Sequence, residues 1–448
     1  MPASDNVRAA IHDGMPRLID DLRALVAIPS IAFPGFDEAP VLEAAELTAM
    51  LLLEAGCVVR MIDLPGGPPA IFGEIPAPPG APTVLLYAHY DIQPPGDDAD
   101  WYSPPFELTE RAGRLYGRGA ADNKAGICMH LAALRAFDGK PPVGIKVLVE
   151  GEEETGRSGL EEYVADHADV IAADVIVVAD MGNWRVGEPT LITSLRGVAD
   201  AVVEVSTLAG PVHSGAMGGP APDALMALIR ALATLQHDDG SVALEGLVSS
   251  DWAGLDLSEH EYRQDAGILE GVDLTGTGTV GSRLWSKTSV NVIGIDVPDV
   301  VRSRNALVHM ARAKVSLRYP PQQDGAAARE ALVRHLERAV PWNARVTVTP
   351  GVAGPGFATP SNGPAVASAR LALEEAYGKP SVDKGSGGSI PLVRAFADAL
   401  PGAEVILWGT EEPACAMHAP NESVDIGELE RASLAQALLL VHLGSESG

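Results

Sequence analysis

Apolar positions fall at helical spacing through residues 6–28 (NVRAAIHDGMPRLIDDLRALVAI), where Ser4 or Asp5 is placed to cap the first turn and Pro16 to break or restart the helix. Residues 40–56 repeat the pattern more strongly, and Gly56 stops them. The period then changes. Three short apolar runs, CVVRMID, AIFGEI and TVLLYAH, are separated by turns rich in Pro and Gly and read as strands. Residues 124–138 return to a helix, VGIKVLVEG and DVIVVAD read as buried strands, and SGLEEYVADHAD is a helix between them. Helices interleaved with apolar strands predict a mixed α/β sheet with helices on both faces.

Near residue 194 the rhythm becomes an alternation of apolar and polar positions. SLRGVADAVVEVST, KVSLRYPP and ARVTVTPG read as half-solvated strands, and DALMALIRALATLQ and AAAREALVRHLERAV as amphipathic helices. These predict a small α+β domain over residues 194–357, inserted between two parts of the α/β domain, 1–193 and 358–448. The second part carries the buried-type strand AEVILWG and closes with the helix IGELERASLAQALLLVHLG. Residues 238–285 carry no clear pattern.

A chain of 448 residues exceeds one ordinary core, which agrees with two domains. With 46% hydrophobic and 21% charged residues, it fits a globular enzyme rather than a disordered or fibrous chain. Sixty acidic against 32 basic residues leave a net charge of −28, which argues against a nucleic-acid groove and against anionic membranes. No apolar run approaches the roughly 20 residues of a membrane helix. The N-terminal stretch is polar and amphipathic, without a signal-peptide core. Cys57, Cys128 and Cys415 lack CxxC spacing and fit free thiols in a reducing compartment, so a cytoplasmic protein is expected.

The chemistry-bearing residues cluster at predicted strand ends. His89 and Asp91 are two apart, on one face of an extended segment, so Asp91 is placed to accept the second ring N–H of His89. Asp122 opens a helix, EGEEETG at 150–156 closes a strand, Asp180 ends VIVVAD, and His418 lies in the loop ACAMHAPNES. Each has an ordinary explanation: a solvated pair, a helix cap, an acidic turn, a surface histidine. Together they supply the donor set for two zinc-like cations sharing a carboxylate. Of the adjacent Glu153 and Glu154, one would hold a metal and the other act as general base on water.

YAHYD, LYGRGAADNKAG, EGEEETG, VVADMGNW, GPVHSGAMGG, SVNVIG and MHAPNES occur in an order and spacing that resemble the carnosinase-like dipeptidases, within the metallopeptidase family that includes aminoacylase, acetylornithine deacetylase, succinyl-diaminopimelate desuccinylase and glutamate carboxypeptidase. The resemblance implies two divalent ions, Zn2+ or Mn2+, with His89 and Asp180 on one, Glu154 and His418 on the other, and Asp122 bridging. It further implies Glu153 as proton shuttle, Asp91 orienting His89, and a cis Asp122–Asn123 bond. The inserted domain resembles the family's lid and dimerisation domain. His213 would then reach the partner's active site, Asn291 would also come from the lid, Arg318 would clamp the substrate's carboxylate, and Ser389 in GGSIP would bind the same end. The implied activity is hydrolysis of small peptides by a homodimer. N-acyl amino acid deacylation or decarbamoylation by the same machinery is the alternative, and a non-catalytic binding protein on the same fold is a third. One departure is Arg157, inserted where relatives commonly carry small residues.

Overall fold

The computed structural model describes residues 3–156, 159–360, 362–388 and 390–445. It divides into two compact units, one of Met1–Thr193, Thr359–Lys384 and Leu392–Gly448, the other of Ser194–Ala358 and Gly385–Pro391. Arg157 and Ser389 lie outside the described residues.

In the first unit, strands run in the order Val58–Ile62, Ala70–Ile75, Gly144–Glu150, Thr83–His89, Val175–Val178, Glu404–Leu407 and Thr190–Leu195. The four from Gly144–Glu150 to Glu404–Leu407 are mutually parallel, and antiparallel neighbours flank them. Register sets their carboxyl ends level: His89 pairs with Glu150, Tyr87 with Val178, and Val178 with Leu407. Parallel strands are covered on both faces, which is why these segments read as unbroken apolar runs. Leu86, Ala88, Val147, Val149 and Val177 join a dry cluster with the helices Ala3–Val26, Lys124–Arg135 and Ile426–Ser445. On the opposite face Tyr87 meets Phe396 of the helix Pro391–Ala399 edge-on, with ring centroids 5.8 Å apart.

The first helix differs from its sequence reading. Ala3–Val26 is continuous, Pro16 lies inside it, and Ser4 and Asp5 are helical rather than caps. An interior proline costs about 3 kcal/mol. Val7, Ile11, Met15, Leu18 and Leu22 bury one stripe of this helix, and each large apolar side chain buried contributes about 1.5–3 kcal/mol, so packing outweighs the local break.

The second unit carries a four-stranded antiparallel sheet in the order Ser289–Asp296, Met310–Tyr319, Gly197–Ser206, Arg345–Gly354. Ala199, Ala201, Val203 and Val205 point to one face, where they pack with the helices Ala224–Ala233 and Gly325–Ala339. Asp223 and Asp324 cap these helices by accepting from Met226 N and Ala327 N. Ser289–Asp296 adds an outer strand that hydrophobic periodicity did not disclose. Most of its residues are exposed, Val292, Ile293 and Ile295 among them, so it shows no inside–outside alternation. Residues 238–285 carry a short helix, Glu259–Asp265, with a capping box from Ser258 and Glu261, and the start of a wider helical turn at Ser282–Ser286, amid irregular chain. No helix among the described residues is long and apolar enough to cross a membrane.

Cys57, Cys128 and Cys415 are free and buried. Burial pushes the Cys57 thiol up to about 12 and holds the other two high as well. At pH 8 the Cys57 thiolate fraction is then roughly one in ten thousand. Native protein should give almost no reaction with Ellman's reagent, and denatured protein three thiols. A thiol reacting natively at the rate of free cysteine would contradict this burial.

Candidate metal centre

The parallel strands deliver the polar residues to a single edge of the sheet, the carboxyl end where α/β folds place ligands. His89 is the last residue of Thr83–His89. Glu153 and Glu154 form a turn just after Gly144–Glu150, Asp180 follows Val175–Val178 by two, and His418 lies in the loop beyond Glu404–Leu407. Asp122 arrives from the turn that precedes the helix Lys124–Arg135.

The two Asp122 oxygens face different histidines. Oδ1 lies 3.1 Å from His89 Nε2, and Oδ2 lies 2.9 Å from His418 Nε2. His89 Nε2 is also 3.4 Å from Asp180 Oδ1, and His418 Nε2 is 3.3 Å from Glu154 Oε2. Donor atoms of His89, Glu153 and Asp180 lie within 4.8 Å of one another, as do those of Asp122, Glu154 and His418, and those of Asp122, Asp180 and Glu411. Histidine nitrogens and carboxylate oxygens arranged in this way fit two divalent cations.

Glu422 fixes the Asp122 turn. One carboxylate oxygen accepts from Arg118 Nη1 and Gly119 N, the other from Ala121 N and Asp122 N, at 2.6–3.0 Å. It is fully buried, so these four donors replace its lost water. The Asp122–Asn123 peptide bond is cis. Asn123 donates its side-chain amide to Ala179 O and to Asp180 Oδ1, at 2.6 and 3.0 Å. Lys124 Nζ donates to Leu25 O and Ile28 O and anchors the following helix to the first one.

Asp91 does more than the spacing indicated. His89 Nδ1 lies 3.1 Å from the Asp91 main-chain oxygen and 3.3 Å from its Oδ1. The same carboxylate accepts from Glu153 N and Glu154 N at 3.2 and 3.1 Å, and so ties the histidine strand to the glutamate turn. Gln93 Nε2 donates to Glu154 Oε2 at 2.8 Å. His418 has a φ of 60°, and Ala416 and Asn421 are also left-handed, so tertiary contacts hold this loop in a conformation that non-glycine residues seldom adopt.

The remaining residues singled out from sequence lie in the second unit. His213 is exposed, and its Nδ1 accepts from Gly215 N and Ala216 N at 3.0 and 3.3 Å. Asn291 on Ser289–Asp296 is exposed and pairs with Ser316. Arg318 on Met310–Tyr319 pairs with Ser289 and Val198. Sequence reading had not singled out Glu422 or Glu411, and it named Asn123 only in the cis bond. Glu422 and Asn123 act through contacts to distant backbone and side-chain groups that no spacing reveals. The Glu411–Glu412 pair after a buried strand is the same signal that EGEEETG gave.

Burial alone would lower the His89 pKa, but Asp122, Asp180 and Asp91 outweigh it and hold the ring well above its usual value. Hydrogen bonding to Asp122 and then to Glu154 raises His418 to about 10. Burial, with the negative charge of Asp180, holds Glu153 well above the carboxylate range. Burial also raises Glu154. Both imidazoles are thus protonated near neutral pH when no cation is bound, and metal coordination requires them neutral. Adding Zn2+ to chelator-stripped protein in weak buffer at pH 7 should release at least about two protons per chain. Apparent affinity should rise with pH up to about 10, as fewer His418 protons must be displaced. Metal uptake without proton release would show that the two imidazoles are already neutral in the metal-free protein.

Residues 85–442 match the model for peptidase family M20/M25/M40. The chain is 40% identical over 371 residues to a cysteinylglycine-S-conjugate dipeptidase of Corynebacterium striatum, spanning 81% of this chain and 82% of that protein. It is 27% identical over 423 residues to a beta-Ala-His dipeptidase of Rattus norvegicus, spanning 85% and 82%. Among solved structures, human carnosine dipeptidase 1 shares the fold with a TM-score of 0.83 at 24% identity over 99% of both chains. The dipeptidase Dug1p of Saccharomyces cerevisiae does so with a TM-score of 0.84 at 21% identity, again over 99% of both. The extent of the family match and the 40% identity, falling on a chain whose strand ends gather this donor set, show that it belongs to peptidase family M20/M25/M40 as a metallopeptidase of the dipeptidase kind.

Proposed function

We propose that this chain hydrolyses the amide bond of dipeptides carrying a free C-terminal carboxylate. The observation that carries the reading is Asp122, whose two oxygens each face a separate histidine and would lie between two cations. His89 and Asp180 would hold one, Glu154 and His418 the other. When bound, the cations, zinc or manganese, supply Lewis acidity at the scissile carbonyl and acidify a water.

Glu153 accepts the proton of the attacking water on its carboxylate and passes it to the departing amine nitrogen. Its carboxylate lies within 4.8 Å of donor atoms of His89 and Asp180, beside the position where the water and the scissile bond would meet. Asp91 keeps the His89 ring oriented toward the site. Because His213 Nδ1 accepts two backbone N–H groups, the ring proton resides on Nε2, which leaves a donor to polarise the carbonyl of a substrate bound by the partner subunit. Arg318 pairs with the substrate carboxylate, helped by Asn291 and Ser389. The second unit acts as lid and dimerisation domain, and its outer strand exposes Val292, Ile293 and Ile295 for a second copy of the chain. The buried free thiols support a cytoplasmic location. The relative from Corynebacterium makes a cysteinylglycine S-conjugate the first dipeptide to try.

A panel of dipeptides beside N-acetyl, N-succinyl and N-carbamoyl amino acids decides the substrate class, and turnover of the acyl amino acids alone would overturn this reading. Glu153→Gln should lower kcat by roughly 100- to 10,000-fold while metal content stays unchanged. Near-normal turnover by that variant would remove Glu153 as the base. Mixed with His213→Ala protein and allowed to exchange subunits, it should regain activity, because each heterodimer then holds one intact pairing. Isolated heterodimers that stay inactive would place His213 outside the partner's site.

A further inference from the structure

Beyond the proposed ligands, Asp91 and Glu153, a further buried carboxylate stands at the same strand edge. Glu411 is 9% exposed, and a carboxylate oxygen lies within 4.8 Å of ligand oxygens of Asp122 and Asp180. None of the described residues donates a hydrogen bond to that carboxylate, in contrast to Glu422, which receives four. The backbone beneath it is fixed. Glu411 O accepts from Asn183 N at 2.8 Å, and the residue forms a parallel bridge to Gly182. The two chains approach so closely there that a Cβ on Gly182 would sit 1.9 Å from Glu411 O. The backbone of Glu411 is therefore held in place while its side chain faces the cleft described next.

The carboxylate borders a cleft of about 310 Å³ lined also by Asn183, Lys384, Pro413, Ala416 and Met417. Lys384 is the cation on that wall. Two divalent cations would bring four positive charges to five carboxylates: Asp122, Glu153, Glu154, Asp180 and Glu411. A buried carboxylate without donors is costly unless a cation arrives to pair with it.

A dipeptide supplies such a cation, and covalent geometry dictates its position. The α-nitrogen is only about 2.5 Å from the carbonyl carbon under attack. Its receptor must therefore stand beside the metal ligands themselves, which is where Glu411 is. We propose that Glu411 binds the free α-ammonium group of the substrate's N-terminal residue and so selects peptides over N-acyl amino acids at this centre. The inference rests on the dipeptidase reading above and gives it a reason in the chain's own residues.

Leu-Gly and 4-methylpentanoyl-Gly have nearly the same shape and differ by that ammonium group. Wild-type enzyme should favour Leu-Gly. Glu411→Gln should lose roughly 10- to 100-fold in kcat/KM on Leu-Gly and little on the desamino compound, with two metal ions per chain retained. The same loss should appear, without turnover, in the Kd of Leu-Gly measured by calorimetry when Glu411→Gln is added to Glu153→Gln. If Glu411→Gln does not fold, Glu411→Asp, which withdraws the charge by one methylene, should narrow the preference in the same direction. Equal losses on both substrates, an unchanged preference, or loss of a metal ion would overturn the role of Glu411. Wild-type enzyme that cleaves only the desamino compound would instead overturn the dipeptidase reading.

Discussion

The carboxylate of Glu422 joins parts of the chain 300 residues apart in sequence. It lies four positions beyond His418 and accepts from the backbone of the turn that presents Asp122. The loop carrying one histidine and the turn carrying the proposed bridging carboxylate are therefore held by a single side chain. The short sheet of Ser423–Asp425, Arg114–Tyr116 and Thr109–Arg111 reinforces the same connection. Asp91 plays the corresponding part on the other side, where its carboxylate ties the end of Thr83–His89 to the Glu153–Glu154 turn. Ligand positions drawn from distant segments become one rigid set because buried acceptors tie their backbones together.

That rigidity has an electrostatic consequence. Asp122, Glu153, Glu154, Asp180 and Glu411 are crowded at one strand edge, and no described Lys or Arg side chain forms an ion pair with any of them. Burial and mutual repulsion hold Glu153, Glu154 and Glu411 above the carboxylate range, while the two imidazoles are driven toward their charged forms. A divalent cation reverses both tendencies at once, since it stabilises the carboxylates and displaces the imidazole protons. The charge that would be destabilising in an ordinary core is the driving force for metal uptake here. Any carboxylate beyond the metals' needs is then available to a cationic substrate.

The second unit follows simpler physics. One face of its sheet is buried under two helices, and the outer strand offers apolar residues to solvent. Natural edge strands usually carry charge or are covered. An outer strand with Val292, Ile293 and Ile295 exposed calls for a cover, which the proposed dimer would supply.

Much of this was legible in the chain itself. Apolar periodicity marked the strands Thr83–His89, Gly144–Glu150 and Val175–Val178 and most helices, because burial on both faces leaves unbroken runs and burial on one face leaves stripes. Each of His89, Glu153, Glu154 and Asp180 stood at the end of such a run, so their convergence could be anticipated. Local rules failed where distant packing decides: at Pro16, carried through a helix by its buried stripe, and along Ser289–Asp296, whose exposed apolar residues break no visible rhythm. The sequence by itself determined which residue types reach the strand ends and the sign of the charge they accumulate. Only the tertiary structure decided that Asp122 turns one oxygen to each histidine, that Glu422 fixes its backbone, and that Glu411 is left buried without a donor. Those outcomes depend on main-chain hydrogen bonds between segments hundreds of residues apart, and no local pattern encodes them.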